Sequence, residues 1–226
     1  MPADCDYRTF MVQRILLAGA TGLVGSLLAD RLLGLRCDVD AFTRRPTGRF
    51  DPHWHETVAP SGDWPDLILP GADVAVSALG TTMKRAGSQA AFRAVDFDLV
   101  VGFARAARAA GVRHMVVVSS VGADPESANF YLHLKGEMEQ ALAALGFDRL
   151  DILRPGLLRG PRGGDRRRGE RIAILMSPLL NLFLRGRLDA YAAIHASIVA
   201  DAVAALVRQD APGTFVHHNR DLLHSG

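Results

Sequence analysis

Tyr131 and Lys135 stand four residues apart in FYLHLKGEMEQ, residues 130–140. One helical turn brings side chains at i and i+4 to the same face. Phenols ionise near ~10 and are poor bases at neutral pH. A nearby ammonium favours the phenolate, so this pairing suits proton transfer. The bland reading is a surface helix with the aromatic packed down and the lysine in water. Other parts of the chain shift the balance.

RILLAGA (14–20) is a continuous apolar run ending in glycine, and the loop GATGLVG places Gly19, Gly22 and Gly25 directly after it. Gly19 allows a tight strand-to-helix turn, Gly22 lets the backbone approach a pyrophosphate, and Gly25 lets the helix lie close to the sheet. The opening of the helix, through Leu23 and Val24, offers unpaired N–H groups and the positive end of the helix dipole to phosphates. Thr21 adds a hydroxyl donor. A glycine-rich turn without a ligand is the alternative. The second strand candidate ends AFTRRP, with Thr43 where an acid holding ribose hydroxyls is expected, followed by Arg44 and Arg45. A guanidinium binds phosphate with charge-assisted bonds. NADP(H) is therefore the expected cofactor, with NAD the alternative. Solvated loop charge is the competing role for either arginine. SALGTT follows the fourth strand candidate, where ligands of doubly wound sheets sit. Ala78, Leu79 and Gly80 offer bare backbone to adenosine, and Thr81 a bond to phosphate.

The elements holding these residues alternate. Strand candidates CDVDAFTR (37–44), HETVAP (55–60), ADVAVSALG (72–80), RHMVVVSS (113–120) and RLDILRPG (149–156) follow the first run. Between them lie GLVGSLLADRLLG, SQAAFRAVDFDLVVGFARAARAAG and YLHLKGEMEQALAALG, with apolar residues at helical spacing. Alternation of this kind predicts an α/β, doubly wound parallel sheet of six or seven strands, covered on both faces. HASIVADAVAALV predicts a final helix in which Asp201 caps or pairs. Residues 1–12 are expected to be poorly anchored. Residues 13–226 form a single domain, with a small substrate-side lobe around 162–191.

The 226 residues are 49% hydrophobic, enough for a substantial core. A net charge of +2 gives no global case for nucleic acid. The charge run RGPRGGDRRRGER (159–171) reads as a solvated loop or as a holder of an acidic or phosphorylated substrate; no interleaved aromatics support nucleic acid. Cys5 and Cys37 make no disulfide framework. The first residues lack a secretion signal, and IAILMSPLLNLFL (172–184) is too short for a span, so a cytoplasmic location is expected. His195, His217, His218 and His224 read as scattered surface residues, and no metal site is expected.

The glycine loop, the serines of VVVSSVGAD (116–124), and the tyrosine and lysine, in that order, resemble the short-chain dehydrogenase/reductase family. LLAGATGLVG, VAVSALGTT, VDFDLV, VVVSSVGAD, NFYLHLKGEMEQAL and ILRPGLLRGPR resemble more closely its atypical NAD(P)H-binding branch. That branch includes the Tat-interacting oxidoreductase-like proteins and small epimerase-like proteins. The resemblance implies a Rossmann-type fold and a Ser–Tyr–Lys group beside the nicotinamide. It makes Tyr131 the acid/base, Lys135 its electrostatic partner and a ligand of the nicotinamide ribose, and Ser120 the substrate-orienting hydroxyl, with Ser119 as the alternative. Pro155 and Gly156 pass close to the nicotinamide amide, and Leu157 donates through its backbone. Arg154 is expected to be a structural ion-pair partner. Asp96 aligns where many relatives carry an asparagine supporting a relay water; an acid there binds the water or makes a structural hydrogen bond. The implied activity is reduction of a small carbonyl, or oxidoreduction and epimerisation of a nucleotide-sugar-like compound. The alternative is a nucleotide-bound regulatory protein that senses NADPH and engages a protein partner.

Overall fold

The computed structural model describes residues 13–160 and 192–223. The expected lobe around 162–191, the charge run from Arg162 onward, His224 and the segment 1–12 lie outside the described residues. β1 (Arg14–Ala18) leads through the glycine loop into α1 (Leu23–Gly34). β2 (Asp38–Thr43), β3 (Trp54–Val58) and β4 (Val74–Ser77) follow. Two short helices, α2 (Met83–Ala86) and α3 (Gln89–Arg93), run through a π-helical stretch (Ala94–Leu99) into α4 (Val100–Ala109). Then come β5 (His114–Val118), α5 (Phe130–Ala143) and β6 (Arg149–Arg154). A small pair, β7 (Leu158–Arg159) and β8 (Ile194–His195), precedes α6 (Ala196–Leu206), β9 (Gly213–His218) and α7 (Asn219–Leu223).

The main sheet has seven strands in the order β3-β2-β1-β4-β5-β6-β9, all paired in parallel. The order in which strands are added across the sheet reverses between β1 and β4, the switch point at whose carboxyl ends a crevice forms in such sheets. β1 shows why its sequence has no polar alternation. Ile15 and Leu17 pack with α1 and α6 residues such as Leu28, Leu32, Val199 and Val203. Leu16 and Ala18 pack on the other face with Phe103, Met138 and Leu142 of α4 and α5. Both faces are covered, so every β1 position past the first is buried.

The six strand candidates appear, and β9 is the seventh. β9 was hard to read because it is an edge strand, largely exposed, with weak apolar content. It also corrects the reading of the histidines. His217 sits in β9 and its Nε2 lies 2.7 Å from Asp151 Oδ1, so it belongs to an internal network rather than the open surface. Buried His114 meets the other oxygen of Asp151 at 2.8 Å, and Arg149 donates to both oxygens. Burial pushes the Asp151 carboxyl up, but bonds from His114, His217 and Arg149 outweigh it and hold it far below the usual carboxylate range. Asp201 pairs with Arg31 at 2.8 Å, tying α6 to α1. Among the described residues, no helix is long and apolar enough to cross a membrane, and no group of His, Cys, Asp or Glu is arranged to hold a metal ion.

Candidate functional site

Backbone crowding fixes the shape of the glycine loop. Gly19 has φ +92°, and a Cβ there would lie 2.6 Å from the Ala78 carbonyl carbon and 2.8 Å from Leu79 N. At Gly25 a Cβ would lie 2.1 Å from Gly19 O, so α1 folds back onto its own turn. Gly22 is less crowded: a Cβ there would lie 3.2 Å from Gly19 O and 3.7 Å from Ala78 O. Gly22 is the N-cap of α1 and no side chain caps the helix, so the N–H groups of the first turn at Leu23 and Val24 are left for a ligand. Thr21 is exposed beside them.

The loop after β4 is pinned from two directions. Gly19 packs against Ala78 and Leu79, and Thr81 N–H donates to Asp96 Oδ2 at 2.8 Å. Gly80 is exposed, with Asp96 Oδ1 3.7 Å from where its Cβ would be. Asp96 Oδ1 lies 2.7 Å from Lys135 Nζ, an ion pair in which the side chains are 1% and 4% exposed. No aligned hydrogen bond reaches that oxygen. The π-helical stretch is responsible: its wider turn shifts the register of the helix and leaves Asp96 as its buried residue. Of the two outcomes open for this acid, the described residues show a structural bond and an ion pair.

Asn129 caps α5, its side chain accepting from the N–H groups of Tyr131 and Leu132. The half-buried Tyr131 ring packs against Phe92 with centroids 5.6 Å apart, and its hydroxyl has no hydrogen-bond partner among the described residues. The two serines after β5 differ. Buried Ser119 donates to Glu139, which also accepts from Arg154 Nε at 3.1 and 3.2 Å. Ser119 and Arg154 thus share one structural network. Among the described residues, the Ser120 hydroxyl makes only a 3.3 Å contact to the Val121 carbonyl. The serine loop is pressed onto α5 at Gly136, where a Cβ would lie 2.2 Å from Pro125 N. Asp124 N–H also donates to Leu132 O at 3.1 Å.

At the far end of the crevice, Thr43 is buried and donates to Glu56 Oε1 at 2.7 Å. Glu56 also accepts from Thr47 N and Oγ1, both at 3.0 Å, and so curls the loop after β2. Arg44 and Arg45 are exposed and without partners among the described residues. The curl carries Arg49 back over the Trp54 ring, 5.1 Å from its centroid, with Nη1 2.6 Å from Asp30. Arg49, Thr47 and Gly48 face Ala20, Thr21 and Ser26 across a cavity of about 390 Å³. Sequence reasoning missed Arg49 and Glu56. An acid on the neighbouring strand, beside Thr43, was the available signal.

The loop after β6 closes the other side. Pro155 is buried and its carbonyl accepts from Val121 N–H at 2.9 Å, which joins this loop to the serine loop. Gly156 N–H donates to Asn219 Oδ1 at 2.8 Å, and the exposed Leu157 offers its carbonyl to Ile194 N–H at 3.0 Å. Asn219 was also missed, because nothing local marks a single amide beyond the last strand.

The sequence pattern of a family described as NAD(P)H-binding matches residues 19–173. The chain is similar to Protein FMP52, mitochondrial, of Coccidioides immitis, 37% identical over 65% of this chain and 66% of that protein. It is 36% identical to the protein of that name from Eremothecium gossypii, over 77% of this chain and 79% of that one. Among solved structures, MoeE5 in complex with UDP-glucuronic acid and NAD superposes with a TM-score of 0.69 at 21% identity, covering 90% of this chain and 75% of that one. WbmH of Bordetella bronchiseptica in complex with NAD+ gives 0.66 at 19% identity, over 92% and 76%. These two share the fold. The curated relatives are named as mitochondrial proteins, which overturns the expectation of a cytoplasmic location. A dinucleotide fits the residues present: Gly22 has no side chain in a turn where a Cβ would lie 3.2 Å from Gly19 O, and the α1 N-terminus has no side-chain cap.

Proposed function

The chain belongs to the NAD(P)H-binding family, and from that premise we propose that it is an NADP-dependent oxidoreductase of the short-chain dehydrogenase/reductase type. Its substrate is a small carbonyl or a nucleotide-sugar-like compound. One observation carries this reading. Two motifs far apart in sequence converge on one loop, Gly19 packing on Ala78 and Leu79 while Lys135 reaches Thr81 through Asp96.

In this reading Gly19, Thr21, Gly22, Leu23, Val24 and Gly25 hold the pyrophosphate, by the backbone N–H groups and dipole of α1. Ala78, Leu79, Gly80 and Thr81 take the adenosine side. Pro155, Gly156 and Leu157 line the nicotinamide side with Lys135. Arg44 or Arg45 takes the 2′-phosphate, and Arg49 joins them from the cavity beside Thr21 and Ser26. When bound, the nicotinamide supplies or accepts hydride. Tyr131 gives or takes the proton at the substrate oxygen, and Ser120 donates a hydrogen bond to the same oxygen. Ser120 is preferred to Ser119, whose hydroxyl is committed to Glu139. Lys135 supplies positive charge next to the phenol.

The test is a screen of aldehydes, ketones and nucleotide sugars for oxidation of NADPH, followed by Tyr131→Phe. That variant should keep fold and nucleotide affinity while turnover falls by at least ~10²-fold. Unchanged turnover would remove Tyr131 from the chemistry. The second reading, a nucleotide-bound regulatory protein, is favoured by the buried carboxylate that already balances Lys135. It predicts tight NADPH binding, no turnover with any compound of the screen, and a partner captured only when NADPH is present.

A further inference from the structure

We propose that Asn219 is a positioning residue for the nicotinamide half of the nucleotide, acting through the loop after β6; this rests on the nucleotide-binding reading above. Asn219 is 0% exposed, although its neighbours Arg220 and Asp221 in α7 are exposed. A buried amide needs partners for both ends. Here both are backbone groups. Oδ1 accepts from Gly156 N–H at 2.8 Å, and Nδ2 donates to Ala192 O at 3.0 Å. The orientation of the amide is dictated by those partners, since a flipped amide would set donor against donor and acceptor against acceptor.

The two bonded groups belong to segments that already touch. A Cβ on Gly156 would lie 2.2 Å from Ala192 O and 3.2 Å from Asn219 Nδ2. Beyond them β7 and β8 pair in parallel, Leu158 with Ile194 and Arg159 with His195. Asn219 is therefore the side-chain rivet at the root of a two-stranded joint, fixing where residues 155–157 run. The effect passes further inward, because the Pro155 carbonyl holds Val121 N–H next to Ser120. A purely structural asparagine would stabilise α7 and nothing else. A positioning asparagine alters binding of the nicotinamide half and leaves the adenosine half, held by the glycine loop, as it was.

The experiment uses the full chain and two probes: NADPH, and adenosine 2′,5′-bisphosphate, which lacks the nicotinamide half. Asn219→Ala is expected to weaken NADPH by ~10-fold, the factor set by losing about one net hydrogen bond of order. The bisphosphate should stay within ~2-fold, since it does not reach Gly156. Fluorescence of bound NADPH should also shift toward that of free NADPH. If Asn219→Ala does not fold, Asn219→Asp serves: it keeps the size and the acceptor for Gly156 N–H, but sets an oxygen against Ala192 O. The same selective loss is expected of it. Equal losses for both probes, or no loss for either, would overturn the role of Asn219 and leave nucleotide binding intact. Unmodified protein that binds NADPH no more tightly than the bisphosphate would overturn the nicotinamide assignment and this role with it.

Discussion

Asp96→Ala tests the joint between the nucleotide loop and the Tyr131 helix. The change strips the carboxylate from an ammonium whose side chain is 4% exposed. Removing one partner of a buried pair costs about 3–5 kcal/mol, because the remaining charge has neither water nor a counter-ion. The same change removes the acceptor of the half-buried Thr81 N–H, bonded at 2.8 Å, a smaller loss because water reaches this loop. The two losses share one network and do not add, so ~3–5 kcal/mol is the expected total. For a domain of this size that lowers Tm by ~6–20 °C, at ~2–4 °C for each kcal/mol. Both tryptophans, Trp54 and Trp64, are buried, so urea unfolding followed by their emission reads the loss directly. Asp96→Asn keeps an acceptor for Thr81 N–H and should fall between Asp96→Ala and the unmodified protein. The double variant Asp96→Leu with Lys135→Met replaces both charges by apolar groups and should recover most of the stability, while NADPH-dependent turnover is lost. A loss below ~1 kcal/mol for Asp96→Ala would match a solvated pair and refute the buried joint. A double variant no more stable than Asp96→Ala would refute the reasoning in another way, by showing that the loss does not come from the stranded ammonium.

Replacing Arg44 and Arg45 together by alanine should weaken NADP by about 1–3 kcal/mol and leave NAD unchanged in parallel titrations. Arg49→Ala alone should act in the same selective direction, and tighter NAD than NADP binding in the unmodified protein would refute the preference. Gly25→Ala sets a Cβ 2.1 Å from Gly19 O and should cost at least ~1–3 kcal/mol of stability in urea. Gly22→Ala sets a Cβ 3.2 Å from Gly19 O at the N-cap of α1, so it should cost less stability than Gly25→Ala yet bind nucleotide weakly in calorimetry. Asp151 has a folded-state carboxyl held far down by His114, His217 and Arg149. Its contribution is complete above the unfolded value near ~3.9 and is lost as pH falls below it toward the folded value. Urea midpoints should therefore drop steeply below about pH 4, and Asp151→Asn should flatten that drop while lowering stability at neutral pH.

The sheet was legible because its signals are local. Six apolar runs of strand length, alternating with helical periodicity, required a parallel sheet covered on both faces. The glycine loop was legible for the same reason: Gly19 needs its left-handed backbone and Gly25 its missing Cβ within a single turn of chain. The four-residue step from Tyr131 to Lys135 is likewise a property of one helix. Partners were not legible. Ser119 and Ser120 are neighbours of identical chemistry, and only the approach of Glu139 from α5 separates a bound hydroxyl from a nearly free one. The curl after β2 depends on Glu56 from the adjacent strand, which swings Arg49 toward the glycine loop instead of leaving Arg44 and Arg45 as the only cations there. Asp96 turns inward because a π-helical stretch changes the register of a helix whose periodicity looked ordinary. Asn219 meets Gly156 across 63 residues. A polar side chain gains from a partner only where water has been excluded, and which positions lose their water is decided when the layers pack.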